Sequence, residues 1–110
     1  MPSISDLQDE IYLVASKHGW WDTSRKVPEI LALIHSEVSE ALEEYRKNSD
    51  TDFTYVRDDG KPEGFKYELA DIVIRVLDAC EHYGINLEVA ILEKMEFNKT
   101  RPYRHGGKNV

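Results

Sequence analysis

The chain contains 110 residues, a length that accommodates one domain at most. Its formal net charge of −7 argues against a general nucleic-acid-binding protein, and its 41% of apolar residues leaves a thin core for a monomer. The apolar stretches are too short to span a membrane, and the polar, acidic segment MPSISDLQDE lacks the features of a signal peptide, so we expect a cytoplasmic protein without membrane contact.

The first part of the chain is predicted to form two helices, because its apolar residues recur every three or four positions. The first helix covers residues 4–18, with Ser3 as its N-cap and Gly19 as the residue that ends it. The second covers residues 28–47 and begins with a proline, which suits a first helical turn. Its apolar stripe is predicted to face the core and consists of Ile30, Ile34, Val38, Ala41, Leu42 and Tyr45.

The second part of the chain begins with a break in the helical pattern at residues 48–64, where Asp-Gly and Lys-Pro pairs are typical of turns. The piece FTYVR at residues 53–57 is compatible with a short strand or a hairpin arm. A third helix is predicted over residues 65–83, and a fourth over residues 87–99 with Asn86 as its N-cap.

The predicted fold is all-α: a four-helix bundle-like single domain over residues 1–110, completed by homo-oligomerisation. Residues 98–110 are expected to form a basic, irregular tail. From residue 94 to the end the chain carries +4, so the remaining 93 residues carry −11. This basic segment is either a solvated tail or a surface for anionic groups that the acidic body holds through a metal.

Two pairs of carboxylates are the most informative feature of the sequence. Glu37 and Glu40 lie three residues apart on the second helix, and Glu68 and Asp71 lie three residues apart on the third. This spacing places both members of a pair on one helical face, beside the apolar stripe. If the helices pack together, the four carboxylates converge, and each cross-helix pair at roughly 6 Å costs on the order of 2–3 kcal/mol without a cation. Such a cluster suits Mg²⁺, with Mn²⁺ as a possible substitute, and a phosphorylated substrate.

The same acids also have a simpler interpretation, because helical carboxylates are most often solvated. The donor set nevertheless favours a hard cation over a softer one. His35 lies two residues before Glu37 and is expected to point elsewhere, which leaves only oxygen ligands. This argues against zinc and against di-iron bundles, which use Glu-x-x-His pairs.

Other residues are candidates for nucleotide contact. Trp20 and Trp21 follow the end of the first helix and are either base-stacking residues or part of the core or an interface. Arg75 lies four residues after Asp71 and is expected to orient it through an ion pair.

The acidic motif resembles that of the MazG-like nucleoside triphosphate pyrophosphohydrolases, which are all-α proteins. The matching text is Ser36-Glu37-Val38-Ser39-Glu40, followed after 27 residues by Glu68-Leu69-Ala70-Asp71. The C-terminal segment KMEFNKTRPYRHGGK is similar to that of a subgroup of small MazG-like proteins, so the resemblance covers residues 28–108. Ser36 departs from the pattern, because the family has its first glutamate there, and this puts a supporting role of that residue in doubt.

The resemblance implies Mg²⁺-dependent hydrolysis of nucleoside triphosphates, often deoxy forms, to the monophosphate and pyrophosphate, by a homodimer or homotetramer that cleans the nucleotide pool. Glu37, Glu40, Glu68 and Asp71 would hold the metal, and Glu37 or Glu40 would take a proton from water. Phosphate and nucleoside contacts would come from the segment that contains Lys94, Asn98, Arg101, Arg104 and Lys108.

Two rival interpretations remain open at this stage. The chain could be a dUTPase-like enzyme or a phosphoribosyl-ATP pyrophosphohydrolase of the same superfamily, which differ in substrate. It could also be a non-catalytic helical oligomerisation or regulatory module, whose acidic pairs only solubilise a surface.

Overall fold

The structure, a computed structural model, describes residues 1–102 and is mostly helical, which confirms the all-α prediction. Its elements in chain order are α1 (Ile4–Lys17), α2 (Val27–Lys47), β1 (Tyr55–Val56), β2 (Pro62–Glu63), α3 (Phe65–His82) and α4 (Leu87–Lys99). The helix bounds agree with the sequence to within one residue at each end. No helix in these 102 residues combines the length and the apolar character that a membrane crossing requires.

The helix ends follow local sequence signals. The Ser3 side chain accepts a hydrogen bond from the Asp6 backbone N–H at 3.1 Å, and the Asp6 carboxylate accepts one from Ser3 N–H at 3.0 Å. Asn86 caps α4 in the same manner, by accepting from Val89 N–H at 3.2 Å. Both caps satisfy backbone donors that a helix leaves free at its start, so these boundaries are set locally.

α3 lies at the centre of the described chain. α1 and α2 pack along it, while α4 packs along α1. Within residues 1–102, the helices of one chain therefore form a partial bundle around α3, and its completion by a second copy stays a prediction. α4 has no buried residue, which leaves most of its surface available.

α2 buries only part of the apolar stripe that the sequence predicted. Its buried residues are Ile30, Ala41 and Glu44, whereas the predicted core residues Val38 and Leu42 are about half exposed. The exposed apolar stripe lies roughly a quarter turn around the helix from the buried one and consists of Leu31, Val38, Leu42 and Tyr45. α2 thus packs with acidic residues in its inner face and keeps an apolar face outward.

The core is small for the size of the chain. In the described residues only four apolar side chains are buried, those of Ile30, Ala41, Leu77 and Cys80. Five polar or charged residues are buried as well, namely Gln8, Glu44, Glu63, Glu68 and Asp78. Buried carboxylates need compensation, and three of these residues, Glu44, Glu63 and Glu68, lie in one region.

The segment between α2 and α3 folds back as a hairpin, in which β1 pairs antiparallel with β2. Gly64 follows β2 with φ +141°, and a Cβ at this position would lie 2.5 Å from the Phe53 carbonyl oxygen. A side chain is therefore excluded here for both steric and conformational reasons. The close approach of Gly64 to the backbone at Phe53 places Glu63 at the start of α3, next to Glu68.

The fourth helix ends where the sequence predicts. Asn98 and Lys99 belong to α4, and Thr100 is its C-cap. The predicted substrate-binding residues Arg104 and Lys108 lie outside the described residues.

Candidate metal centre

Carboxylates from two helices meet between α2 and α3. Glu37, Glu40 and Glu68 each contribute an oxygen, and these oxygens all lie within 4.8 Å of one another. We call these residues the outer triad. Glu40 is exposed, Glu37 is half-buried and Glu68 is buried, so the triad runs from solvent into the protein. The convergence of both predicted acidic pairs at one place is thus realised for three of the four residues.

Asp71, the fourth predicted ligand, stands next to the outer triad. Among residues 1–102 it is not one of the acids whose oxygens lie within 4.8 Å of each other. Burial raises its pKa, and the charge of Glu37 raises it further, while Lys61 and Arg75 oppose the shift. Asp71 therefore shares the electrostatic environment of the triad and is placed to contact a ligand at its edge.

Glu68 is the most constrained carboxyl group of the site. Its residue is only 5% exposed, and its Oε2 has no hydrogen-bond donor in the described part of the chain. Burial raises its pKa from 4.5 to about 7, and a hydrogen bond with Glu63 and the charges of Asp71 and Glu40 act in the same direction. Two ionised carboxylates cannot donate to each other, so the Glu63–Glu68 interaction requires a proton. A cation could replace that proton, and the unpartnered oxygen fits this role.

Arg75 orients Glu37 and not Asp71, which corrects the sequence-based expectation. Its Nε donates to Glu37 Oε1 at 3.5 Å across the α2–α3 interface. The pKa of Glu37 is raised by burial and by its neighbour Glu40, against the lowering effect of Arg75. The i,i+4 spacing suggested the wrong partner, because the α2 packing brings a carboxylate from another helix within reach.

Sequence reasoning missed two further acids. Glu44 and Glu63 join Glu68 in a second group whose oxygens also lie within 4.8 Å of one another, which we call the inner triad. Glu44 is four residues after Glu40, so its place on the same face was readable from helical spacing. Glu63 gave no such signal, because it precedes α3 and only the hairpin brings it to the site.

The two tryptophans have different surroundings. The Trp21 ring stacks on His82 at a centroid distance of 3.7 Å, and its Nε1–H donates to the buried Asp78 at 3.0 Å. One ring face and the only donor of Trp21 are thus engaged within the chain. Trp20 instead contacts two guanidinium groups, those of Arg25 at 3.9 Å and of Arg75 at 3.7 Å from the ring centroid. Through Arg75, Trp20 is connected to the outer triad.

A groove of about 1090 Å³ runs between α1 and α3, and Trp20 and Arg75 contribute to its wall. Most of the lining is apolar and includes Leu7, Ile11, Val14, Leu69, Val73 and Ile74. Five of these six side chains, all but Ile11, are between 38% and 54% exposed. Apolar surface in a continuous groove is typical of a binding face for a ligand or for another protein chain.

The predicted substrate-binding residues of the C-terminal segment are not gathered at the acids. Lys94 and Asn98 are exposed on α4, and Arg101 follows its C-cap. α4 packs along α1, and within residues 1–102 these three side chains make no ion pair or hydrogen bond with either triad. A single chain therefore leaves them apart from the acids.

No family model matches this chain, and no similar curated protein or solved structure is found. The resemblance to the MazG-like proteins accordingly depends on the quoted motifs alone.

Proposed function

We propose that this protein is a Mg²⁺-dependent hydrolase that cleaves (deoxy)nucleoside triphosphates to the monophosphate and pyrophosphate. The observation that carries the proposal is the convergence of Glu37, Glu40 and Glu68, together with a buried oxygen of Glu68 that has no partner within residues 1–102. A cation would relieve the repulsion among these groups, and an all-oxygen donor set favours Mg²⁺ or Mn²⁺ over softer metals. The motif resemblance supports the choice of nucleoside triphosphates as substrates.

The outer triad and Asp71 would hold the ion. When bound, Mg²⁺ would supply Lewis-acid polarisation of phosphate oxygens and a site for water. The protein contributes a graded environment, in which the deeply placed Glu68 is shielded and Glu40 faces the solvent from which a substrate arrives. This decrease in burial from Glu68 to Glu40 suits a cation that binds the protein on one side and a phosphate group from solvent on the other.

Glu37 is the better placed of the two candidate proton acceptors. Its carboxylate is held by Arg75, and its side chain is only 14% exposed, whereas Glu40 is exposed. We assign to Glu37 the removal of a proton from the attacking water.

Charge neutralisation of the phosphates would come from two directions. Lys61 on the hairpin lies close enough to Glu63 and Asp71 for both to raise its pKa. Lys94 and Arg101 belong to the segment that the resemblance links to substrate, but in one chain they stand apart from the acids. A neighbouring protomer would have to bring them to the phosphates.

We further propose a homodimer or homotetramer. The support is the exposed apolar stripe of α2, together with the half-exposed apolar residues of the groove between α1 and α3. Apolar residues that share one helix face or line one groove mark interaction sites more often than single scattered ones do. A second copy would cover them and would also provide a second α4.

The test is the release of pyrophosphate from a panel of dNTPs and NTPs with Mg²⁺, including dUTP, and from phosphoribosyl-ATP. Glu40→Gln and Asp71→Asn should each lower turnover roughly 100-fold or more, because even residues that only support a ligand are worth 10- to 100-fold. Glu43→Gln is the matched control, since Glu43 is exposed and pairs with Arg46 on the same helix. Turnover in both variants equal to that of the wild type would refute the site, and orthophosphate as the product would refute the reaction.

A further inference from the structure

The backbone of Trp20 is fixed at the end of α1. Its N–H donates to the Ala15 carbonyl at 3.0 Å, and Gly19 before it has φ +83°, a conformation that suits the residue after a helix. Trp20 itself is half-buried. From this position its ring contacts Arg25, which lies just before α2, and Arg75, which lies on α3. The Trp20 side chain thus meets residues from the segments that lead into or form the other two packed helices.

Both guanidinium groups lie over the Trp20 ring. The guanidinium carbon of Arg25 is 3.9 Å from the ring centroid, and that of Arg75 is 3.7 Å from it. One face of the ring has room for one planar guanidinium at these distances, so the two groups lie on opposite faces. A nucleobase could stack on this ring only by displacing one of them. The indole ring attracts cations to its faces more strongly than the other aromatic side chains do, which suits a role in holding arginines.

The two arginines differ in their other partners. Arg25 donates from Nη1 to Glu29 at 2.9 Å and from Nε to the Trp20 carbonyl at 3.3 Å, so two hydrogen bonds fix it in addition to the ring. Arg75 has one hydrogen-bond partner in the described part of the chain, Glu37, and the distance from its Nε to Glu37 Oε1 is 3.5 Å. A hydrogen bond of this length restrains a flexible side chain only weakly. The ring of Trp20 is therefore the closer restraint on the Arg75 guanidinium.

We propose that Trp20 is a positioning residue of the outer triad: its ring holds the Arg75 guanidinium, and Arg75 holds the carboxylate of Glu37. This role rests on the proposed function, in which Glu37 takes a proton from the attacking water. Removal of that proton depends on the place of the carboxylate, so a loss of the ring contact should slow the reaction without weakening substrate binding. The segment between α1 and α2 would thereby act on the acids through a cation, although it contributes no carboxylate to them.

The first experiment is a double-substitution cycle on pyrophosphate release. Trp20→Leu keeps an apolar side chain but removes the π face, and it should lower kcat roughly 5- to 30-fold for every nucleotide that is hydrolysed, with KM essentially unchanged. Trp20→Phe keeps a π face and should retain most of the turnover. In the Arg75→Met background, Trp20→Leu should have no further effect, because the guanidinium that the ring holds is already gone.

A nucleobase that stacks on Trp20 would give a different result. KM would then rise in Trp20→Leu by amounts that differ among the bases. The substitution would also lower activity by the same factor with and without the Arg75 guanidinium. Either of these results would overturn the proposal.

The second experiment is independent of activity and uses NMR. The Nε–H of Arg75, assigned by its loss in Arg75→Met, is the donor to Glu37 and belongs to the guanidinium that lies over Trp20. Glu37→Gln should shift this resonance in the wild-type background and have no effect in the Trp20→Leu background. Phe97→Leu is the matched control, because it removes a ring that contacts Lys94 on α4, and it should leave the resonance in place.

An effect of Glu37→Gln that persists in Trp20→Leu would overturn the proposal. Coupling of the three residues in a protein that hydrolyses no nucleotide would support the contacts and refute only the reaction, whereas hydrolysis without coupling would refute only the role of Trp20. If Trp20→Leu does not fold, nuclear Overhauser contacts between the Trp20 ring and the Arg75 side chain of the wild type decide. Their presence supports the proposal, and their absence refutes it.

Discussion

The buried carboxyl group of Glu68 should make the metal-free protein less stable at alkaline pH, and Glu68→Gln should remove this effect. In the folded chain burial and the neighbouring acids raise the pKa of Glu68 from 4.5 to about 7. Glutamine resembles the protonated form, since its amide can donate to Glu63 and carries no charge. The substitution therefore keeps the neutral contact and eliminates the titration.

The direction in which the free energy of unfolding changes with pH follows from proton binding. Between pH 4.5 and 7 the folded state holds a proton on Glu68 that the unfolded state has released, so the free energy of unfolding falls as pH rises. The contribution of Glu68 is fully present below pH 4.5 and is lost above about pH 7. This rise in the pKa of Glu68 from 4.5 to about 7 corresponds to about 3 kcal/mol of unfolding free energy. The assay below covers most of this titration, so we expect a loss of about 1–3 kcal/mol.

The assay is urea unfolding of both proteins at pH 5 and pH 8 in the presence of a chelator. The free energy of unfolding of the wild type should fall relative to that of Glu68→Gln by this amount between the two pH values. Adding Mg²⁺ at pH 8 should stabilise the wild type and have a much smaller effect on the variant. Equal pH dependence in the two proteins would refute the assignment of Glu68 as a buried, proton-holding ligand.

Three further predictions concern the surroundings of the site. Arg75→Met should lower the turnover of pyrophosphate release roughly 10- to 100-fold with unchanged helical content, because Glu37 loses the side chain that holds it. Unchanged turnover would contradict the positioning role. Gly64→Ala should destabilise the fold in urea by about 2 kcal/mol or more, since its Cβ would lie 2.5 Å from a backbone oxygen, whereas Gly60→Ala, which has open space, should cost less. Leu42→Glu should reduce the sedimenting mass without loss of helicity, because Leu42 is 48% exposed on the stripe that we assign to the oligomer interface; an unaltered mass would exclude that face.

The limits of the helices were accessible from the sequence because they are fixed by neighbours along the chain. The Ser3 and Asn86 caps bond to backbone groups three residues away, and Gly84 adopts φ +70° just after α3. The face that each helix turns inward was less accessible. Val38 and Leu42 fit an inward stripe by hydrophobicity, yet the packing of α2 on α3 leaves them about half exposed.

The candidate site likewise contains residues that the sequence predicted and residues that it did not. Glu37, Glu40 and Glu68 were identified from a spacing of three residues, and their convergence is observed. Glu63 could not be found from periodicity, because it lies outside the helices and approaches Glu68 only through the hairpin. The partner of Arg75 was also misjudged, since the spacing on one helix gives no information about a carboxylate on another.

The sequence by itself determined four helices, their caps and a set of carboxylates at helical spacing, because these depend on interactions within a few residues. Only the tertiary structure decided which of these acids meet, and it added Glu44 and Glu63 around a buried Glu68. The reason is that convergence depends on the packing of α2 against α3 and on the tight crossing at Gly64, which join residues far apart in the chain.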